Sequence, residues 1–368
     1  MENNKKKLIF FMPSMDGGGV EKNLIVIANF LSMHIKDLTL ITFDDRFNKK
    51  FKKKIKIINF KKKTNKIYSK YFKYFICLLL LTKEILKNKK TSVISFQANI
   101  YTIILSTILK FNLIIRSNSS PSGWTKSFIK NYLFKIFFNI PKSIIVNSLD
   151  FKKEIDKKFS IKSSLIYNPL NKDEILLKSK EKIKFKIFEK KESLKIINIA
   201  RFTDQKDHLT LLRAFKNIHE TINVELLIIG YGPNKNKILD FIKQNKLNSK
   251  IKVLDFQNNP YKYIKKSDVF ILTSRFEGLP NVLLESLVLK KFIISSDCPT
   301  GPREILENGK FGFLFKIKDY KKLSLLILEY AKNKNKYHKK IQLGYKSLDR
   351  FNLDLNANKY LNEISKII

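Results

Sequence analysis

The feature that most constrains this chain is a rhythm of short apolar runs and longer helical patterns that stops once and then starts again. Runs at Leu8–Met12, Leu38–Phe43, Ile55–Phe60, Ser92–Phe96, Leu113–Arg116 and Ser143–Asn147 read as strands. Val20–Ser32, Tyr71–Lys87 and Lys126–Phe138 read as the clearest helices between them. Strands joined by helices rather than tight turns have connections that cross over the sheet, so the sheet is parallel and covered on both faces. After Asn168-Pro169 the rhythm breaks, and residues 171–192 are highly charged with no strong strand signal. It resumes with strands at Leu194–Ala200, Val224–Ile229, Ile251–Asp255, Val269–Thr273 and Phe292–Ser295. Asp207–His219, Lys235–Lys246 and Asn281–Leu289 read as the helices of this half. The expected fold class is α/β, with one domain over 1–170, a linker over 171–192 and a second domain over 193–350. The last residues, 351–368, read as a terminal helix that either closes the second domain or crosses back onto the first. At 368 residues the chain is too long for one ordinary core and suits two. Two such sheets facing each other leave a cleft at their strand C-termini, where open α/β folds bind ligands.

Charge bears on partners. The chain has 73 Lys and Arg against 32 Asp and Glu. Lys, Asn, Ile and Phe are over-used together, as an AT-rich genome would produce, so codon bias is one origin of the charge; a polyanionic partner is the other. Between Phe51 and Lys142, however, 20 basic residues accompany a single acid, Glu84. Uniform bias does not clear the acids from one stretch. Basic residues interleaved with Phe, Tyr, Leu and Ile suit an anionic membrane surface. Nucleic acid is not expected, since RNP, KH and zinc-knuckle patterns are missing.

The apolar run near the start is too short for a signal-peptide core and reads as a first strand ending in glycines. Tyr74–Leu81 falls far short of the ~20 residues that span a bilayer, so no transmembrane helix is expected. Cys77 and Cys298 form no disulfide framework, and a reduced cytoplasmic setting is the default. The four histidines and two cysteines have no metal-ligand spacing.

The most informative segment runs from Arg275 to Glu285. It follows a strand and opens a helix. Pro280 suits a first helical position, where its missing N–H costs nothing. The amides of Asn281 and Val282 then have no intrahelical partner and can meet ligand oxygens at the positive end of the helix dipole. Gly278 and Leu279 lead the backbone up to that point, and glycine allows close approach. Glu277 and Glu285 flank the turn, and both can face one pocket. Carboxylates repel a diphosphate but accept paired hydrogen bonds from vicinal hydroxyls of a ribose or hexose.

Three further segments belong with it. Arg201 and Lys206 follow the strand Leu194–Ala200, where two fixed cations neutralise a diphosphate. Gly230-Tyr-Gly232 follows another strand, and reads either as a ligand approach or as a tight strand-to-helix turn. Asp16-Gly-Gly18-Gly19-Val-Glu21 joins the first strand to the first helix, where glycines let a phosphate approach. It lacks the full dinucleotide fingerprint, which argues against a nicotinamide enzyme.

These segments resemble the retaining glycosyltransferases of family 4. Gly18, Gly19 and Glu21 match that family's first-loop pattern. Arg201, Gln205 and Lys206 match its Gly-Arg-Leu…Gln-Lys-Gly segment, with Ala200, Phe202 and Asp207 departing from it. Glu277 and Glu285 match its paired-glutamate segment fully. The resemblance implies a GT-B fold, two Rossmann-like domains facing across a cleft, with a nucleotide-diphosphate sugar, expected to be a UDP-sugar, held by the second. It implies that Arg201 and Lys206 hold the diphosphate, Glu277 the transferred sugar and Glu285 the ribose. Many members carry a histidine in the first domain; the matching region, Ile115-Arg116-Ser117-Asn118, has none, which leaves a histidine proton relay without its group.

The stretches Arg116–Trp124 and Ser296–Leu306 resemble a subgroup that adds N-acetylhexosamines or hexoses to lipid-linked glycans, and place Arg116, Ser117 and Asn118 on the acceptor side. No Asp-x-Asp occurs, so no metal and no further cofactor is expected. The expected setting is peripheral, on the inner face of the plasma membrane. A sugar-nucleotide hydrolase or epimerase on the same fold is the rival enzyme, and a non-catalytic basic membrane- or RNA-binding protein the rival outside enzymes.

Overall fold

The computed structural model describes residues 7–15, 17–60, 68–118, 128–188, 190 and 192–368. Its chain forms two compact units, one made of 1–169 and 353–368 and the other of 170–352.

The first unit runs β1 (Lys7–Phe11), α1 (Gly19–Leu31), β2 (Leu38–Thr42), β3 (Lys56–Asn59), α2 (Lys70–Lys87), β4 (Thr91–Ser95), α3 (Asn99–Leu109), β5 (Asn112–Arg116), α4 (Phe128–Phe137), β6 (Ser143–Val146), α5 (Leu149–Phe159) and β7 (Ser164–Leu165). Its seven strands pair in parallel in the order β3-β2-β1-β4-β5-β6-β7. Along β1, Leu8 and Phe10 enter one core while Ile9 and Phe11 enter another on the opposite face. Period-two alternation of apolar residues on both faces is what a sheet covered by helices on each side demands.

The second unit runs α6 (Lys172–Lys178), β8 (Leu194–Ile199), α7 (His208–Ile218), β9 (Val224–Ile229), α8 (Lys235–Gln244), β10 (Ile251–Leu254), α9 (Tyr261–Lys265), β11 (Val269–Leu272), α10 (Asn281–Val288), β12 (Phe292–Ser296), α11 (Pro302–Ile305), β13 (Phe313–Phe315), α12 (Tyr320–Lys332) and α13 (His338–Lys346). Its strands are also parallel, in the order β10-β9-β8-β11-β12-β13.

Two findings concern the ends of this unit. Residues 171–192, read as a linker, lie in the second unit. Their first part is α6, capped by the Asn171 side chain on the Glu174 amide. High charge hid a short helix whose one inward residue, Ile175, is buried. The terminal helix α14 (Leu353–Ser365) belongs to the first unit, where Ala357, Tyr360 and Ile364 join the core under α1. Among the described residues, no helix is long and apolar enough to cross a membrane. The acid Glu84 is buried on α2 and pairs with Lys7 and Lys87. Burial alone would raise its pKa, but hydrogen bonds from both lysines outweigh that and hold it near 2.

Candidate active site

In the second unit the strand order turns between β8 and β11: β9 and β10 extend to one side, β12 and β13 to the other. Loops leaving the C-terminal ends of two such neighbours diverge, and that is where open α/β sheets bind ligands. The β8 loop carries Arg201, Gln205 and Lys206, and the β11 loop carries Ser274 to Pro280. The loops are sewn together. The Arg275 amide donates to the Gln205 carbonyl at 2.8 Å, and Gln205 Nε2 donates to the Phe276 carbonyl at 2.8 Å. Thr273 Oγ1 donates to the Lys206 carbonyl at 2.9 Å.

This stitching brings together two side chains far apart in sequence. Lys206 Nζ forms a charge-assisted hydrogen bond to Glu277 Oε1, and Ser274 Oγ donates to the same oxygen at 2.6 Å. Glu277 is 7% exposed, so the carboxylate is shielded from bulk water and held by fixed donors. Arg201, on the same loop as Lys206, is exposed. The cation and carboxylate singled out from separate segments thus meet each other.

The β11 loop is held from a third side. The Glu277 amide donates to the Pro299 carbonyl at 2.7 Å, and Thr300 Oγ1 donates to the Gly278 carbonyl at 3.0 Å. Gly301 sits at φ +92°, and a Cβ there would lie 2.3 Å from the Gly278 oxygen. Only glycine allows that approach. Pro280 is extended, at φ −71° and ψ 102°, and caps α10 rather than occupying its first turn. Asn281 is the first helical residue. Asn281 and Val282 lie in the first turn, half-buried. Amides there lie outside the helical ladder.

Glu285 is 4% exposed, and Tyr261 of α9 donates to its Oε1 at 3.5 Å. Burial and then the Glu285 charge push the Tyr261 hydroxyl pKa upward, so the phenol stays a donor. Gly230 and Gly232 have a packing reason. A Cβ on Gly230 would sit 2.0 Å from the Ala200 oxygen, and one on Gly232 2.6 Å from the Phe202 oxygen. They let the turn after β9 lie against the loop after β8, as the tight-turn reading has it. Ser274, Tyr261, Thr300 and Pro299 are partners that sequence reasoning missed. Ser and Thr carry no spacing signal, and all four are identified by what they touch.

In the first unit, Gly18 caps α1, and Glu21 folds back so that its Oε2 lies 3.0 Å from where a Gly18 Cβ would stand. The Glu21 side chain therefore lies against the glycine turn that opens α1. Asp16 lies outside the described residues. Arg116, expected on the acceptor side, is fully buried. Its Nε donates to Tyr360 Oη at 2.7 Å, its Nη2 to Asn168 Oδ1 at 2.6 Å and its Nη1 to Asn118 Oδ1. Ser117 is buried too, and its amide donates to the Ile145 carbonyl at 2.9 Å. A cation at the end of a central strand is drawn inward when the terminal helix covers it and supplies acceptors. The rest of that acceptor-side stretch, 119–124, lies outside the described residues.

Residues 179–347 match the family model described as glycosyl transferases group 1. The chain is 36% identical over 211 residues to an uncharacterised glycosyltransferase of Methanocaldococcus jannaschii, over 55% of this chain and 52% of that protein, so it spans about half of that relative's length. It is 26% identical over 372 residues, 97% of this chain and 99% of the relative, to a Campylobacter jejuni protein. That relative is named N-acetylgalactosamine-N,N'-diacetylbacillosaminyl-diphospho-undecaprenol 4-alpha-N-acetylgalactosaminyltransferase. Among solved structures, HepE of Anabaena in complex with UDP and glucose superposes with a TM-score of 0.79 at 16% identity, over 98% of this chain and all of that one. The chain therefore has the GT-B glycosyltransferase fold, and its second unit carries the sequence pattern of the group 1 glycosyl transferases.

Proposed function

We propose that this chain is a retaining glycosyltransferase that moves a hexose or N-acetylhexosamine from a nucleotide-diphosphate donor, a UDP-sugar, to a lipid-linked glycan. The observation that carries the reading is the Glu277 carboxylate, held by Lys206 and Ser274 beside the start of α10 at the turning point of the sheet. Both hydrogen bonds fall on Oε1. Oε2 is then the oxygen that accepts from a hydroxyl of the transferred sugar. Glu285, fixed by Tyr261, takes the ribose hydroxyls. Arg201, Lys206 and the first-turn amides of α10, Asn281 and Val282, stabilise the charge that grows on the departing diphosphate. The acceptor oxygen bonds to the anomeric carbon on the face the diphosphate leaves, and the carbon–phosphate oxygen bond breaks. The acceptor proton passes to the departing phosphate oxygen, so no protein base and no metal takes part.

The proposed acceptor side is a membrane surface. Helices α2, α3 and α4 pack side by side and turn large apolar side chains outward. Tyr71 is 74% exposed, Ile108 68% and Ile129 71%, with Phe75, Leu79 and Tyr132 between them. Exposed aromatic and aliphatic groups on a strongly basic chain suit shallow, peripheral insertion into anionic lipid. The C. jejuni relative's name includes an undecaprenol diphosphate acceptor, which agrees with this reading. We place the protein on the inner face of the plasma membrane.

The decisive experiment incubates the protein with a panel of radiolabelled nucleotide sugars and a lipid-linked glycan extract. Label in the lipid fraction, in the donor's anomeric configuration, is the expected result. Free sugar or an epimerised nucleotide sugar with unlabelled lipid overturns the reading in favour of a hydrolase or epimerase.

A further inference from the structure

Strand β8 carries one side chain that its place in the sheet does not explain. Its sequence is Leu194-Lys-Ile-Ile-Asn198-Ile199, and Asn198 is fully buried in this interior strand. A buried position in an interior parallel strand calls for an apolar β-former. Asn198 Nδ2 donates to the Ile271 carbonyl of β11 at 2.8 Å, and Oδ1 has no hydrogen-bond partner among the described residues. A buried amide whose oxygen is unmet costs stability, so packing alone does not select it.

The register of the strands shows what the amide does. β8 pairs with β9 along its whole length, from Leu194↔Val224 to Ile199↔Ile229. Against β11 its pairing ends at Ile197↔Phe270, although β11 continues beside β12 to Leu272↔Ser295. The sheet therefore forks at Asn198, with β8 following β9 and β11 following β12. Each arm of the fork is held from its outer side. The Ala200 amide donates to the Ile229 carbonyl at 3.1 Å and the Phe202 amide to the Tyr231 carbonyl at 2.7 Å, while Ser296 Oγ donates to the Ser274 carbonyl at 2.6 Å. The Asn198 side chain stands at the root of the fork, where backbone would otherwise continue the ladder. A side-chain amide set between two backbones holds them further apart than a direct N–H to carbonyl bond does. The arms rejoin where Thr273 Oγ1 and the Arg275 amide reach the Lys206 and Gln205 carbonyls, and there Lys206 meets Glu277.

We infer that Asn198 is a positioning residue: it sets the spacing of the loops after β8 and β11, and so, given the glycosyl-transfer reading above, the fit of Lys206 and Glu277 to a nucleoside diphosphate. An apolar residue in its place removes the bond to the Ile271 carbonyl and lets β8 and β11 draw together. The loops beyond the fork then shift, and a displacement of about 1 Å at reacting groups costs up to about a hundredfold in rate.

The test compares Asn198→Val with Asn198→Thr, two side chains of one shape of which only threonine keeps a hydrogen-bond donor. UDP affinity is measured by calorimetry, hydrogen exchange over 201–207 and 273–277 by mass spectrometry, and thermal melting alongside. With valine, UDP binding is expected to weaken by about tenfold or more and both segments to exchange faster, while β9 and β10 keep their protection and the melting temperature does not fall. With threonine most of the affinity is expected to be kept. In the transfer assay the valine change is expected to cost less once Glu277→Gln is present, because both act on one contact. A purely structural role predicts instead that valine and threonine weaken binding together, in step with a lower melting temperature. That outcome overturns the inference, as does a valine variant with the parent's affinity and exchange. Should valine prevent folding, Asn198→Ala, which also lacks the donor, takes its place in the same comparison. Exchange needs no substrate, so a parent that binds no UDP and transfers no sugar defeats the glycosyl-transfer reading, whereas unaltered exchange in the variant defeats the role of Asn198.

Discussion

At the residue scale, the pairing of Lys206 with Glu277 makes a sharp prediction. Glu277→Gln keeps the size and the Ser274 contact but removes the charge, and is expected to lower turnover by about a hundredfold or more with the fold intact. Arg201→Ala and Lys206→Ala are expected to weaken nucleotide-diphosphate binding, while a chelator leaves transfer unchanged. Wild-type turnover by the glutamine variant, or a strict metal requirement, defeats the assignment. His208 makes a second, independent prediction. It is buried with its ring edge-on to Phe202, and Nε2 has no hydrogen-bond partner among the described residues. Burial first, and then the Lys206 charge, lower its pKa from 6.5 to about 4. The unfolded chain therefore takes up a proton below pH 6.5 that the folded chain refuses. Stability from this residue is full above that pH and falls by up to about 3 kcal/mol as the pH drops toward 4. Urea melts at a series of pH values should show that slope in the parent and a shallower one in His208→Gln; equal slopes would remove His208 from the account.

At the element scale, α14 is the piece whose placement the sequence left open, and Arg116 is what it covers. The guanidinium donates to side chains from three parts of the first unit, Asn118, Asn168 and Tyr360, and lies 5.3 Å from the Phe96 ring centroid. The Ile367 carbonyl adds hydrogen bonds from Ser92 Oγ at 2.7 Å and Asn112 Nδ2 at 2.9 Å. Arg116→Met removes the donors and leaves those acceptors without it, a loss of about 2–4 kcal/mol. Chemical denaturation measures the loss, and limited proteolysis should cut within 353–368 sooner than in the parent. An unchanged cleavage rate would mean that apolar packing alone docks the helix. The strands β7 and β13 escaped the sequence reading for a simple reason. With two and three residues they are too short to show an alternation, and they form by pairing with a neighbour already in place. Longer elements such as β9 and α2 carry enough periods to declare themselves.

At the scale of the whole molecule, formal charge of +41 and the outward apolar face of α2, α3 and α4 together predict a peripheral membrane protein. Cosedimentation with anionic vesicles is expected, with release at high salt and little binding to neutral vesicles. Replacing Tyr71, Phe75 and Ile129 with Ser should reduce binding to anionic vesicles without shifting the melting temperature, because these side chains are already in water. Binding that survives those changes would leave the charge to codon bias and non-specific attraction. The two parallel sheets and the turn-and-helix segments that carry Arg201, Lys206, Glu277 and Glu285 were legible in the sequence. They rest on local periodicity and on glycine and proline, which act through a few neighbouring residues. Only the tertiary structure decided that Lys206 meets Glu277, that Gly230 is needed for packing, and that Arg116 is buried rather than presented to a ligand. Burial and ion pairing depend on which distant segments the sheet order brings side by side, and that order is set by the long-range packing of the whole unit.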